Sequence, residues 1–195
     1  CGDSLPGSRR NPVVVERLIG SHIGAMARSS ASDLRMPPWR WRRLTPGEHR
    51  LCAQVFGAGL DAGRVRIFSQ PAWPRPFVPT GGLVVWPSAS ALADFSTAPL
   101  WLRSVLVHEL VHVWQAQQGV FLLFAKLRAG DGLAAYAYDL ADGRPFSQLN
   151  IEQQAMVVQH AYLAGGGGAA PYDSQAYARI LEAWPAPLGG RPQEI

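Results

Sequence analysis

Lysine is almost absent from this chain: Lys126 stands alone among 18 basic residues. Acidic residues are scarce too, at 14, so the formal charge is only +4 and charged residues fill 16% of the 195 positions. So small an excess argues against a nucleic-acid binder held by bulk charge. Cysteine is limited to Cys1 and Cys52. Two cysteines make no disulfide framework, and neither has the local spacing of a metal site. Cys52 falls in a predicted amphipathic helix, where a buried free thiol is the ordinary outcome. No apolar run reaches the roughly 18 residues of a membrane-spanning helix, and no secretory signal is visible. Membrane attachment is therefore expected only if Cys1, in Cys1-Gly2-Asp3-Ser4, carries lipid as in a mature bacterial lipoprotein.

What the chain has instead is apolar content, 48% of residues, enough for one sizeable core. Residues 1–43 read as a lead-in with an arm, residues 44–164 as the main domain, and residues 165–195 as a glycine-linked helix and tail. Residues 13–26 carry helical spacing. The arm Arg35-Met36-Pro37-Pro38-Trp39-Arg40-Trp41-Arg42-Arg43 contains prolines that forbid a regular helix. It is expected to lie extended over the core with its tryptophans buried and its arginines snorkelling.

Thr45-Pro46-Gly47-Glu48 spells a helix start, with Thr45 as cap, Pro46 at the first helical position and Glu48 closing a capping box. Residues 65–68 and 83–86 read as short strands, and the proline-rich stretch 71–79 between them reads as loop. Residues 100–118 give the strongest helix signal, stopped by Gly119. A further helix is expected over residues 120–128, a strand or turn at Tyr136-Ala137-Tyr138, and a helix capped by Asn150 running to Leu163. A last amphipathic helix, residues 174–184, is capped by Asp173 or Ser174. Several helices with two short strands make this an α+β chain, mostly helical with a small sheet.

The chemistry lies in His108-Glu109-Leu110-Val111-His112. At 3.6 residues per turn the two histidines fall about 40° apart, one turn on, so both imidazoles point one way. That spacing lets two ring nitrogens reach one ion. Glu109 lies about 100° round, suited to act as general base on a water rather than as an in-line ligand. Leu106, Val107, Leu110, Val111, Val113 and Trp114 make the helix apolar nearly all round, which predicts burial. Two imidazoles and a carboxylate buried together need partners, and a divalent cation such as Zn2+ supplies one.

A catalytic zinc usually keeps three protein ligands and an open position. The pattern of three histidines on one segment is missing, since Gln115 stands where its glycine and Gln118 where its third histidine would fall. Glu152, in the first turn of the second long helix, is the foremost candidate, with Asp131, Asp139, Asp142 and His160 as alternatives. Tyr136 and Tyr138 could offer a phenol to an oxyanion or pack as ordinary half-buried aromatics. His22 and His49 have no metal-like neighbours.

Three stretches together carry a resemblance: residues 107–115 around the two histidines, Tyr136-Ala137-Tyr138-Asp139-Leu140, and Asn150-Ile151-Glu152-Gln153-Gln154-Ala155. With the helix start at 44–48 and the strand at 65–67, they resemble bacterial Vgr-related proteins, similar to zincin-like peptidase domains of contractile injection and type VI secretion systems. The resemblance covers about residues 44–164. It implies a gluzincin-like arrangement, with His108, His112 and Glu152 as zinc ligands and Glu109 as base, a protein or peptide substrate, and a secretion-system component as partner. It implies a bacterial protein that is cytoplasmic or secreted through an injection system. One departure is visible: no acidic residue follows Glu152 by a turn to orient His108.

Two functions are therefore expected to compete. The first is a zinc metallopeptidase. The second is a non-catalytic domain in which zinc staples the fold and the Trp/Arg arm binds a secretion component.

Overall fold

The computed structural model describes residues 35–130 and 132–184. The helix expected over residues 13–26, Cys1, His22, Asp131 and the tail beyond residue 184 lie outside the described residues. The architecture is α+β: a four-stranded sheet and a set of helices share one core.

The strands are β1 (Arg40–Arg43), β2 (Arg66–Gln70), β3 (Phe77–Thr80) and β4 (Leu83–Pro87), in spatial order β1-β2-β4-β3. β2 and β4 pair in parallel, and the two outer strands run antiparallel to their neighbours. The two central strands bring Ile67, Val84 and Trp86 into the core. Two sequence expectations change here. The stretch 71–79 is not all loop, because β3 begins at Phe77. It tolerates Pro79 because it is an edge strand whose register against β4 shifts between Phe77 and Thr80, so the missing N–H costs no central ladder bond. The arm does not bury its tryptophans. Its last residues form the edge strand β1, and Trp39 and Trp41 stand 63% and 65% exposed. Trp39 also takes φ 61°, a left-handed conformation rare for a bulky residue.

Helix α1 (Pro46–Phe56) starts as its sequence dictates, with Thr45 Oγ1 accepting from Glu48 N and the Glu48 carboxylate accepting from Thr45 N at 2.8 Å. Glu48 does more than cap. Fully buried, it receives both arms of the Arg42 guanidinium at 2.7 Å and the Phe95 backbone N–H at 2.8 Å. A cap, the edge strand β1 and the turn at residues 95–97 thus meet on one carboxylate.

Helix α2 (Leu100–Gln117) lies against β3 and β4 on one side and packs most extensively on helix α5 (Ile151–Gly165). Between them come α3 (Leu122–Ala129) and the single turn α4 (Leu133–Tyr136), and α6 (Ser174–Ile180) follows. Tyr136 thus ends a helical turn, and Tyr138 follows in extended chain outside any strand.

α2 and α5 run antiparallel. Gln115 near the end of α2 bonds Ile151 at the start of α5, and Leu100 at the start of α2 abuts Gly166 at the end of α5. A Cβ on Gly166 would come within 2.7 Å of Leu100 Cδ1, so glycine here permits the close approach of the two ends.

The chain after Gly165 closes on the same core. Asp173 caps α6, Tyr177 is buried, and the Trp184 indole N–H donates to Val55 O at 2.7 Å while its ring packs on Phe56, Trp114 and Phe146. Among the described residues no helix is long and apolar enough to cross a membrane.

Candidate metal centre

Every residue from 106 to 113 is buried, as a helix apolar all round requires. That burial carries His108, Glu109 and His112 inside with it. Asn150 caps α5 by accepting from the N–H groups of Glu152 and Gln153 at 2.9 Å, and Gln153 answers through its side chain to Asn150 N at 3.1 Å. The cap fixes the first turn of α5, and the antiparallel packing lays that turn, with Glu152, against the two histidines.

The Nε2 atoms of His112 and His108 lie 3.2 and 3.5 Å from Glu152 Oε2. Among the described residues, His108, His112 and Glu152 form the group that could hold a metal ion, with one donor atom from each lying within 4.8 Å of the others. The other carboxylate oxygen, Oε1, has no hydrogen bond but lies 3.3 Å from Lys126 Nζ on α3. The chain's one lysine therefore sits at this site.

The electrostatics follow from burial and mutual charge. Burial would raise the Glu152 carboxyl, but hydrogen bonds and charge from His108 and His112 outweigh it and hold the group well below the usual carboxylate range. Burial pulls His112 down, and its contact with Glu152 more than reverses this. Glu109 moves the other way. Burial lifts its carboxyl, the nearby charge of Glu152 adds to the rise, and His108 and His112 only partly oppose it.

Several buried polar atoms here have no hydrogen-bond partner: His108 Nδ1 and Glu109 Oε2 besides Glu152 Oε1. An unpaired buried polar atom is costly. The donor set of two imidazoles and a carboxylate, converging in a buried site, fits a divalent cation by its chemistry.

The alternatives to Glu152 among the described residues go elsewhere. Asp139 is exposed, caps the turn at Ala141 and accepts from the Tyr172 hydroxyl at 2.8 Å. Asp142 pairs with Arg144 at 2.6 Å. His160 is fully buried and bonds the Tyr138 hydroxyl at 2.6 Å, which in turn meets the Tyr177 hydroxyl at 2.7 Å. Tyr138 is thus committed to an internal network. Tyr136 is half-buried, with its ring stacked 6.4 Å from that of His108. Exposed His49 has no place in the cluster.

One residue at the site was invisible to sequence reasoning. In sequence Gln115 is only a departure from the three-histidine pattern, yet its Oε1 lies 2.8 Å from His112 Nδ1. A glutamine three residues after a histidine on a helix can reach it, and that i,i+3 spacing was the available signal.

No family model matches the sequence. The fold is similar to that of the solved effector domain of Pseudomonas aeruginosa VgrG2b, with a TM-score of 0.59, covering 87% of this chain and 94% of that one at 24% identity. In sequence, the chain is similar to the type VI secretion system spike protein VgrG2b of Pseudomonas aeruginosa, 31% identical over 153 residues. The match takes in 74% of this chain and 15% of the length of that spike protein.

Proposed function

We propose that this chain is a zinc-dependent, gluzincin-like metallopeptidase domain. The observation that carries the reading is the convergence of His108, His112 and Glu152 in a buried site, with the lifted carboxyl of Glu109 adjacent to both histidines in charge. His108, His112 and Glu152 would hold the ion, three protein ligands with a position left open. Bound zinc supplies Lewis acidity, polarising a peptide carbonyl and making water more acidic.

The chain's own residues supply the proton handling. Glu109 accepts the proton of the attacking water and returns it to the leaving amine, and burial lifts its carboxyl above the usual carboxylate value. Tyr136, whose ring stacks 6.4 Å from that of His108, would donate its phenol to a developing oxyanion. Similarity to the type VI secretion spike protein VgrG2b and to its effector domain supports an effector setting linked to bacterial type VI secretion, in which a secretion component would be the partner and a protein or peptide the substrate.

The test compares wild type with Glu109→Gln on a panel of protein substrates, with zinc measured in both by elemental analysis. The reading expects both proteins to hold zinc and cleavage to fall by about 10²- to 10⁴-fold in the variant. Equal cleavage by both would remove Glu109 from the mechanism.

A second reading is favoured by the exposure of Trp39 and Trp41. In it, zinc staples the fold and the arm binds a secretion component without catalysis. It expects Glu109→Gln to leave function intact and His112→Ala to unfold the domain.

A further inference from the structure

The hydrogen bonds around Gln115 have only one consistent polarity, and it ends on a metal-ligand candidate. Gln154 Nε2 donates to the backbone carbonyls of Phe146 and Leu149, both at 3.2 Å. Carbonyls only accept, so the amide of Gln154 cannot be turned round, and its Oε1 is the acceptor for Gln115 Nε2 at 2.9 Å. Gln115 Nε2 also donates to Ile151 O at 3.0 Å, which fixes the Gln115 amide as well. Its Oε1 must then face His112 Nδ1 at 2.8 Å as an acceptor. Nδ1 therefore carries the proton, and a neutral His112 presents the lone pair of Nε2 toward Glu152 and His108.

We propose that Gln115, held by Gln154, is the positioning residue of the metal centre: a neutral amide relay that fixes the tautomer and ring orientation of His112. The role is the one that a carboxylate or backbone carbonyl commonly fills behind a metal-ligating histidine. The relay also ties the end of α2 to the first turn of α5, so the residue that orients one ligand helps seat Glu152. Gln115 is 1% exposed, which shields the relay from water. The inference rests on the zinc reading above and deepens it.

The test uses the full chain and reads metal binding rather than turnover. Zinc affinity is measured by competition with a chromogenic chelator, ligand geometry by the visible spectrum of the cobalt(II) form, and stability by thermal melting. Three variants are compared with wild type: Gln115→Met, Gln115→Glu and Gln154→Leu. Gln115→Met keeps the bulk and loses the acceptor, and zinc binding is expected to weaken about 10- to 100-fold with a changed cobalt spectrum. Gln115→Glu keeps an oxygen facing Nδ1 but removes the donors to Ile151 and Gln154. It is expected to melt lower than wild type yet to bind zinc at least about tenfold more tightly than Gln115→Met. A merely structural Gln115 would move affinity and stability together. Gln154→Leu frees the Gln115 amide and is expected to fall between wild type and Gln115→Met, which keeps the idea testable should Gln115→Met fail to fold.

Wild-type affinity and an unchanged cobalt spectrum in a folded Gln115→Met or in Gln154→Leu would overturn the relay while leaving the zinc reading standing. A wild-type chain that takes up neither metal would defeat the zinc reading, and the relay with it.

Discussion

His112 Nε2 and Glu152 Oε2 lie 3.2 Å apart although 40 residues separate them in the chain. The contact exists because α2 and α5 run antiparallel, so the middle of one helix faces the first turn of the other. It predicts a coupled effect. Glu152→Gln keeps the shape and removes the charge, and zinc binding should weaken by at least about tenfold, since a neutral amide binds a divalent zinc ion more weakly than a carboxylate. Titration calorimetry with zinc reads this directly, and undiminished affinity would take Glu152 out of the ligand set.

Metal removal should be visible in stability. A ligand that binds only the folded chain stabilises it by about 4 kcal/mol at a thousand times its dissociation constant. Thermal melting with and without a strong chelator should show a higher midpoint for the zinc-loaded protein. The difference should vanish in His112→Ala.

His160 makes a prediction about pH. Burial and the nearby charge of His108 lower its pKa to about 4, whereas an unfolded histidine titrates near about 6.5. Between those values the unfolded chain binds the proton and the folded chain resists it. The contribution is therefore fully present above about pH 6.5 and is lost as pH falls toward about 4. Urea unfolding at pH 7.5 and pH 5 should show wild type losing more stability than His160→Leu, by about 2 kcal/mol. Parallel losses in the two proteins would mean that His160 titrates normally in the fold.

Glu48 should matter beyond its helix cap. Removing a cap alone costs about 1 kcal/mol. Glu48→Ala also leaves the Arg42 guanidinium without its carboxylate in a partly buried setting, for which losses of about 3–5 kcal/mol are typical. Chemical denaturation distinguishes the two magnitudes. A loss near 1 kcal/mol would reduce Glu48 to a cap.

Much of the candidate site was legible because it is written in local periodicity. The i,i+4 spacing of His108 and His112, the apolar surround and the Asn150 cap are all properties of single helices. The α+β class and both central strands were legible for the same reason. What could not be read depends on contacts between distant segments. Glu48 showed its cap but not its pairing with Arg42, because that bond exists only once β1 joins the sheet. β3 hid behind its prolines, whose cost disappears at an edge. Trp39 and Trp41 looked like core residues until β1 took the outer position. Gln115 spelled only a departure from the three-histidine pattern, because its meaning lies in the carbonyls that orient its amide.

The central claim is that His108, His112 and Glu152 hold one zinc ion. It is tested most directly by titrating metal-free wild type and His112→Ala with zinc in a calorimeter, with circular dichroism confirming that both are folded. The account predicts a single site in wild type and binding at least about 100-fold weaker in the variant, since altering only a residue that orients a ligand can cost up to that much. Wild-type affinity retained by folded His112→Ala, or no zinc uptake by wild type, would contradict it.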